Sequence, residues 1–213
     1  MVNKKIYNLY GFFVKISGFE RGMANFIKDL NLNCPANSRI LDCGCGTGVV
    51  GISLMRKFQR STLLATDSDK RFLRQTITNA KKGGFVKSRI SMGFSDITSP
   101  DKVRLPNSSL ILLRPQSFDI VSVGGAIGYS KNQKKTIKTL LSLIKPGGYF
   151  INLELNEGIL GKWISKRYHY PIMPLVKIKS IIENEGYRLL SIPFSIRDFP
   201  ANLTRTCFIA KIQ

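Results

Sequence analysis

Apolar residues recur along this chain in two alternating rhythms. Short, nearly continuous apolar runs at residues 39–43, 62–66, 89–93, 118–123 and 149–155 have the length of strands buried on both faces. Between them, residues 49–58, 68–82, 134–144 and 176–185 repeat their apolar positions at helical spacing. Gly83 with Gly84, then Lys145-Pro146-Gly147-Gly148, then Gly186 punctuate the helical stretches. Residues 189–194 and 205–212 read as two further strands joined without a helix, which predicts an antiparallel pair at the sheet edge. The alternation predicts one α/β domain over residues 1–213: a Rossmann-like, doubly wound, seven-stranded, mostly parallel sheet with helices on both faces.

Three stretches depart from this rhythm. Ile6, Leu9, Tyr10, Phe13 and Ile16, then Met23, Phe26, Ile27 and Leu30, form two helical patterns parted near Gly18 and Gly22, so residues 1–33 are expected to be an N-terminal helical cover. Residues 98–116 hold three prolines and the apolar run 110–113, which suits a short helix or a hairpin inserted before the fourth strand. Residues 157–175 carry Trp163, Arg167, Tyr168, His169 and Tyr170 and fit an insertion with a short helix, on the side where a substrate would enter.

Composition narrows the class. An apolar fraction of 43% and a charged fraction of 22% exclude disordered and collagen-like chains. The 33 Lys and Arg against 13 Asp and Glu give a net charge of +20. Such a surface favours nucleic acid, anionic lipid or phosphorylated partners. The lysines are nevertheless spread along the chain, and a diffuse compositional bias accounts for them equally well. Cys34, Cys43, Cys45 and Cys207 lack a second close Cys/His pair, so no metal site is expected and free thiols of a reducing cytoplasm are the default. No transmembrane segment is expected, because no apolar run approaches the length of a bilayer span, and the interrupted apolar stretch behind Lys4 and Lys5 reads as mature protein. The expected location is cytoplasmic, with peripheral contact at an anionic membrane surface as the variant.

The chemistry is concentrated at residues 40–54, where a strand end with Asp42 runs into Gly44, Gly46 and Gly48 and then into a helix. Glycines let the backbone turn sharply and approach a ligand, and the helix turns unpaired N–H groups toward it. Gly46, Gly48 and Gly51 satisfy the dinucleotide pattern, with Asp67 at the spacing of a ribose-binding acid. Asp42 and Gly44 ahead of them fit a different loop. With residues 64–68 around Asp67, 93–97 around Asp96, 118–123, and Leu-Ile-Lys-Pro-Gly-Gly-Tyr-Phe at 143–150, the chain resembles the class I S-adenosylmethionine-dependent methyltransferases over about residues 35–212.

The resemblance implies S-adenosylmethionine as cofactor and S-adenosylhomocysteine as product. It sets Cys43, Gly44, Cys45, Gly46 and Gly48 along the methionine and ribose. Asp42 lies beneath the loop, Asp67 takes the ribose hydroxyls, Asp96 takes the adenine amino group with Ser68 and Ile97 beside the ring, and Val123 and Gly124 stand near the methyl group. The alternative is that Asp67 caps the helix after it and Asp96 a turn, but their order at successive strand C-termini favours the cofactor role. The following Gly125-Ala126-Ile127-Gly128-Tyr129 holds no acid, thiol or imidazole and lacks the Asn/Asp-Pro-Pro-aromatic sequence of base and glutamine N-methylation. The loop is similar to those of small-molecule and lipid methyltransferases. Tyr10, Tyr129 and His169 are the candidate catalytic groups. Tyr7, Tyr10, Gly125, Tyr129, Trp163, Arg167 and Tyr168 are the candidate substrate contacts, with Tyr170 as a further ring of an apolar pocket. A small or lipid-like acceptor is the leading expectation, with RNA methylation on the basic surface and a non-catalytic cofactor-binding protein as alternatives.

Overall fold

The computed structural model describes residues 18–212. The first helical pattern, with Tyr7 and Tyr10, lies outside them. The described chain runs α1 (Phe19–Asp29), β1 (Arg39–Cys43), α2 (Val49–Lys57), β2 (Thr62–Asp67), α3 (Lys70–Lys82), β3 (Ile90–Phe94), β4 (Lys102–Arg104), β5 (Leu110–Leu112), β6 (Phe118–Gly124), α4 (Gln133–Ser142), β7 (Ile144–Leu155), α5 (Ile159–Tyr168), α6 (Leu175–Asn184), β8 (Leu189–Ile192) and β9 (Arg205–Lys211).

These strands form one sheet in the order β5-β4-β3-β2-β1-β6-β7-β9-β8. The centre, β3-β2-β1-β6-β7, is parallel, and β9 inserts antiparallel between β7 and β8. Chain order reverses between β1 and β6, and open sheets of this kind bind ligands beyond the strand ends at such a reversal. Apolar side chains of β7 alternate between the two sides. Ile151 and Leu153 join the core under α1, α2 and α3 with Met23, Phe26, Ile27, Ile52, Met55 and Leu73. Phe150 joins the opposite core with Ile137, Leu140, Ile178 and Ile182 of α4 and α6.

The seven expected strands are present, and two more extend the sheet. Residues 98–116 hold the hairpin β4–β5, which adds antiparallel to β3 through Phe94 and Arg104. Each of its strands is three residues long, too short to show a period of two in sequence. A Cβ at Gly93 would stand 2.0 Å from Val103 Cγ1, so the glycine makes the close approach of the fully buried Val103 feasible.

Three boundaries differ notably from expectation. The helix expected over 134–144 ends at Ser142, and β7 begins at Ile144 rather than at Tyr149. Lys145-Pro146-Gly147-Gly148 is therefore a bulged strand entry, with a register shift between Phe118 and Ile120. Gly147 has φ +79 and the Lys145 ammonium sits 2.9 Å from Asp119, which hold the bulge in place. The strand expected to reach 194 stops at Ile192.

Candidate active site

The glycine loop is braced from beneath. Gly48 stands at the N-cap of α2 with φ 83 and has no side chain to offer an acceptor. Asp42, from the end of β1, supplies it: its Oδ2 accepts the Gly51 N–H at 3.0 Å and its Oδ1 accepts the Ser122 hydroxyl at 2.8 Å. Gly51 is needed for this contact, since a Cβ there would lie 2.8 Å from Asp42 Oδ2 and 3.0 Å from Leu63. Burial pushes the Asp42 carboxyl up to about 6, against the pull of its two hydrogen bonds. Gly44 and Gly46 adopt φ +64 and +53. A Cβ at Gly44 would strike Ala126 at 2.5 Å, whereas nothing lies within 4 Å of that position at Gly46.

Asp67 ends β2 and ties the loop from the side. Its Oδ2 accepts the Gly46 N–H and its Oδ1 the Asp69 N–H, both at 2.9 Å. Burial raises its pKa, opposed by these backbone donors. The capping role weighed for Asp67 belongs to Asp69, whose carboxylate accepts the Arg71 N–H at the start of α3. Two α3 side chains then clamp the loop carbonyls: the Thr76 hydroxyl donates to Gly46 O and the Asn79 amide to Thr47 O, each at 2.9 Å. Beyond β3, exposed Asp96 accepts the Thr98 N–H at 2.8 Å through Oδ1, so it does cap the turn weighed as the alternative to its cofactor role. Ile97 is half-buried beside it and Ser68 is exposed at the end of β2. Asp42, Asp67 and Asp96 thus stand at the C-terminal ends of three neighbouring parallel strands.

The cysteines take no part as nucleophiles. Burial lifts Cys43 to about 12 and Cys34 to about 11, and drives Cys45 and Cys207 upward as well. A thiol so protonated is inert. Among the described residues no group of His, Cys, Asp and Glu has the spacing to hold a metal ion.

On the other side of the reversal, buried Val123 leads into Gly124 and Gly125, and residues 127–129 form a single tight turn. The Gly128 N–H donates to the Tyr170 hydroxyl at 3.1 Å, and that hydroxyl donates to the buried carboxylate of Glu154. Tyr129 lies edge-on to Tyr170 at 4.9 Å, and its hydroxyl donates to Tyr168 O at 3.4 Å. The structure therefore gathers Tyr129, Tyr168 and Tyr170 at the loop. Trp163, 57% exposed, lies further back along α5. The Arg167 guanidinium sits 6.0 Å from the Tyr168 ring. His169 is the exposed, left-handed C-cap of α5, φ 52.

Four residues escaped the reading of the sequence. Thr76 and Asn79 are three apart on α3 and so share a face. Ser122 and Glu154 are polar residues inside apolar strand runs, which is the signal that marks them.

A family model for the methyltransferase domain matches residues 35–205. The chain belongs to that family. Its members of this class use S-adenosylmethionine as cofactor. A curated relative of this methyltransferase chain is demethylmenaquinone methyltransferase of Leptospira interrogans, 26% identical over 156 residues, covering 71% of the chain and 57% of the relative. The chain thus spans little more than half the length of that relative. Among solved structures, it resembles an O-methyltransferase family protein from Burkholderia thailandensis, with a TM-score of 0.69 at 17% identity, covering 94% of the chain and 57% of the other. It also resembles an S-adenosylmethionine-dependent methyltransferase from Thermotoga maritima, with a TM-score of 0.66 at 14% identity, covering 97% and 95%.

The residues present suit this cofactor chemically. Gly46 leaves open space where a side chain would project. Each Asp67 oxygen accepts one loop or turn N–H and keeps a lone pair for a ribose hydroxyl. Asp96 commits only Oδ1 to its turn.

Proposed function

We propose that this methyltransferase domain transfers the methyl group of S-adenosylmethionine to a small-molecule or lipid-like acceptor that meets the 124–129 loop. The observation that carries this reading is the loop's surroundings. Backbone glycines and the rings of Tyr129 and Tyr170 line it, the Tyr168 carbonyl meets Tyr129, and α5 beside it exposes Ile159, Leu160 and Trp163 together with Lys162, Lys166 and Arg167. Apolar side chains left in solvent beside cations suit an apolar molecule with a polar head, or the membrane surface that holds it. The name of the Leptospira relative, a methyltransferase for a quinone precursor, supports an acceptor of this kind.

In this reading Asp67 holds the ribose, Asp96 the adenine amino group, Ser68 and Ile97 flank the ring, and Cys43 to Gly48 cradle the remainder. The bound sulfonium supplies a methyl group already activated for transfer. The protein's own share is alignment and exclusion of water. Asp42 holds the α2 N-terminus so that Gly44, Gly46 and Gly48 keep their turn. Tyr170 and Gly128 fix the opposite loop, and the aromatic group shields it.

Labelled cofactor offered to fractionated lipid, metabolite, RNA and protein pools tests the reading. Label in the lipid or metabolite pool is expected. Label confined to RNA, with salt-dependent RNA binding and no sedimentation with phosphatidylglycerol vesicles, would overturn it in favour of the basic surface acting on nucleic acid.

A further inference from the structure

The sheet ends at β5, whose outer side meets no other strand among the described residues. The Leu113 N–H donates to Asp101 O and the Leu105 N–H to Ser109 O, both at 2.8 Å, which fixes the phase of the β4–β5 ladder. Bonded and unbonded pairs alternate along an antiparallel ladder. Val103 and Ile111, midway between those two contacts, are therefore a bonded pair, whereas Leu110 and Leu112 turn their N–H and C=O groups to the open edge.

The side chains divide in the same way. Residues directly opposite in register project from one face. Leu110 with Arg104 and Leu112 with Lys102 share the outer face, where the two leucines are 63% and 67% exposed and both cations reach solvent. Val103, fully buried, and half-buried Ile111 occupy the inner face. Exposed Phe94 lies opposite Arg104 on β3, and exposed Arg114 follows two residues after Leu112. Two leucines and an open run of backbone are thus held in solvent among Lys102, Arg104 and Arg114.

Edge strands usually carry their own protection, such as a proline, a lysine or a bulge. Leu110–Leu112 has none: Pro106 and Pro115 lie outside the strand, and the cations stand on β4 or past the strand end. At the opposite edge, β8 exposes one leucine, Leu190, and Pro193 follows its last residue.

Three kinds of partner reach such an edge. A bilayer would receive the leucines but leave the backbone groups unanswered in hydrocarbon. A second copy would pair the backbone but press two +20 surfaces together. An extended acidic segment answers every feature: it continues the ladder, packs apolar side chains on the leucines and sets carboxylates near the cations.

We propose that β5 is a docking edge for an extended, acidic segment of another protein, which adds to the sheet as a further strand beside Leu110–Leu112. β4, β3, β2 and β1 stand between this edge and β6, so the added strand leaves the 124–129 loop clear.

The test titrates the peptide acetyl-Glu-Val-Thr-Val-Thr-Val-Glu-amide into the full chain by calorimetry, with amide hydrogen exchange read in parallel. It is expected to bind at least tenfold more tightly than the same peptide with lysines in place of both glutamates. The same margin is expected over a version N-methylated at the five central residues, which keeps every side chain and loses the ladder donors. Exchange at the Leu110 and Leu112 amides should slow at least tenfold on binding, with Ile111, already bonded to β4, little changed. Leu110→Ser combined with Leu112→Ser should weaken the peptide at least tenfold and leave S-adenosylhomocysteine affinity within twofold of the parent. Equal affinity for the acidic and N-methylated peptides would overturn the docking edge, as would Leu110 and Leu112 amides that the peptide leaves unprotected. A dimer in sedimentation equilibrium that the double serine variant dissolves would assign the edge to a second copy instead. Protection of the two amides by phosphatidylglycerol vesicles and not by the peptide would assign it to a bilayer, and either result overturns the proposal.

Discussion

Each of the acids at the strand ends has a different degree of commitment, and their variants should differ accordingly. Asp67 braces Gly46 and, in the proposed site, also holds the ribose. Asp67→Ala should weaken S-adenosylmethionine binding more than tenfold by calorimetry. Asp96 holds only its own turn, so Asp96→Ala should weaken binding by less and leave the melting temperature nearly unchanged. Asp42 is wholly internal, and burial pushes its carboxyl up to about 6, above the usual carboxylate range. Because its folded pKa is raised, the folded state binds the proton more tightly, so this group favours the fold at low pH and loses that advantage as pH rises from about 4 to 6. Asp42→Asn removes the dependence. The stability of the variant relative to the parent should be greatest at pH 7 and shrink by about 1 kcal/mol at pH 5, measured by urea unfolding. The acids were legible in the sequence because each ends an apolar run. Ser122 as the partner of Asp42 was not, since nothing local indicates that β6 lies beside β1.

The elements divide in the same way. Long elements with a clear period, such as α3 and β6, were readable at nearly their true bounds. The β4–β5 hairpin was only one of two options for its stretch, because its strands are short and its docking depends on the space left by Gly93. Gly93→Val should expel Val103 and free the hairpin. Hydrogen exchange should then show lost protection at Lys102 and Arg104 with β1 and β6 unchanged. The Lys-Pro-Gly-Gly stretch reads as a helix stop but serves as a strand entry, since the parallel partner β6 recruits Ile144 before the chain has fully turned. At the junction of β1 and α2, Gly51→Ala should cost about 1–3 kcal/mol in denaturant unfolding, because the added methyl meets Asp42 and Leu63 inside a packed core.

On the scale of the whole molecule, the proposed membrane contact would draw on the chain's +20 charge and its exposed apolar side chains together. Among the described residues no helix is long and apolar enough to cross a membrane. If α5 rests on lipid as proposed, Ile159→Asp combined with Trp163→Asp should abolish sedimentation with phosphatidylglycerol vesicles while cofactor binding persists. Retained vesicle binding would assign the attachment to charge alone. The mostly parallel sheet with its antiparallel terminal pair was expected from the pattern of elements, whereas the surroundings of the acceptor were not, because they are assembled from four distant segments and from residues whose polarity matters only once β7, β9 and the 124–129 loop are adjacent.

The two hydrogen bonds by which Thr76 and Asn79 hold the carbonyls of Gly46 and Thr47 bear on the tempo of ligand capture. A loop anchored from a neighbouring helix, with its Gly46 amide held by Asp67, has no search to complete before the cofactor arrives. In a rapid-mixing experiment the observed rate of S-adenosylhomocysteine association should therefore rise in a straight line with ligand concentration, without the plateau that betrays a slow rearrangement. Removing both clamps should introduce that plateau.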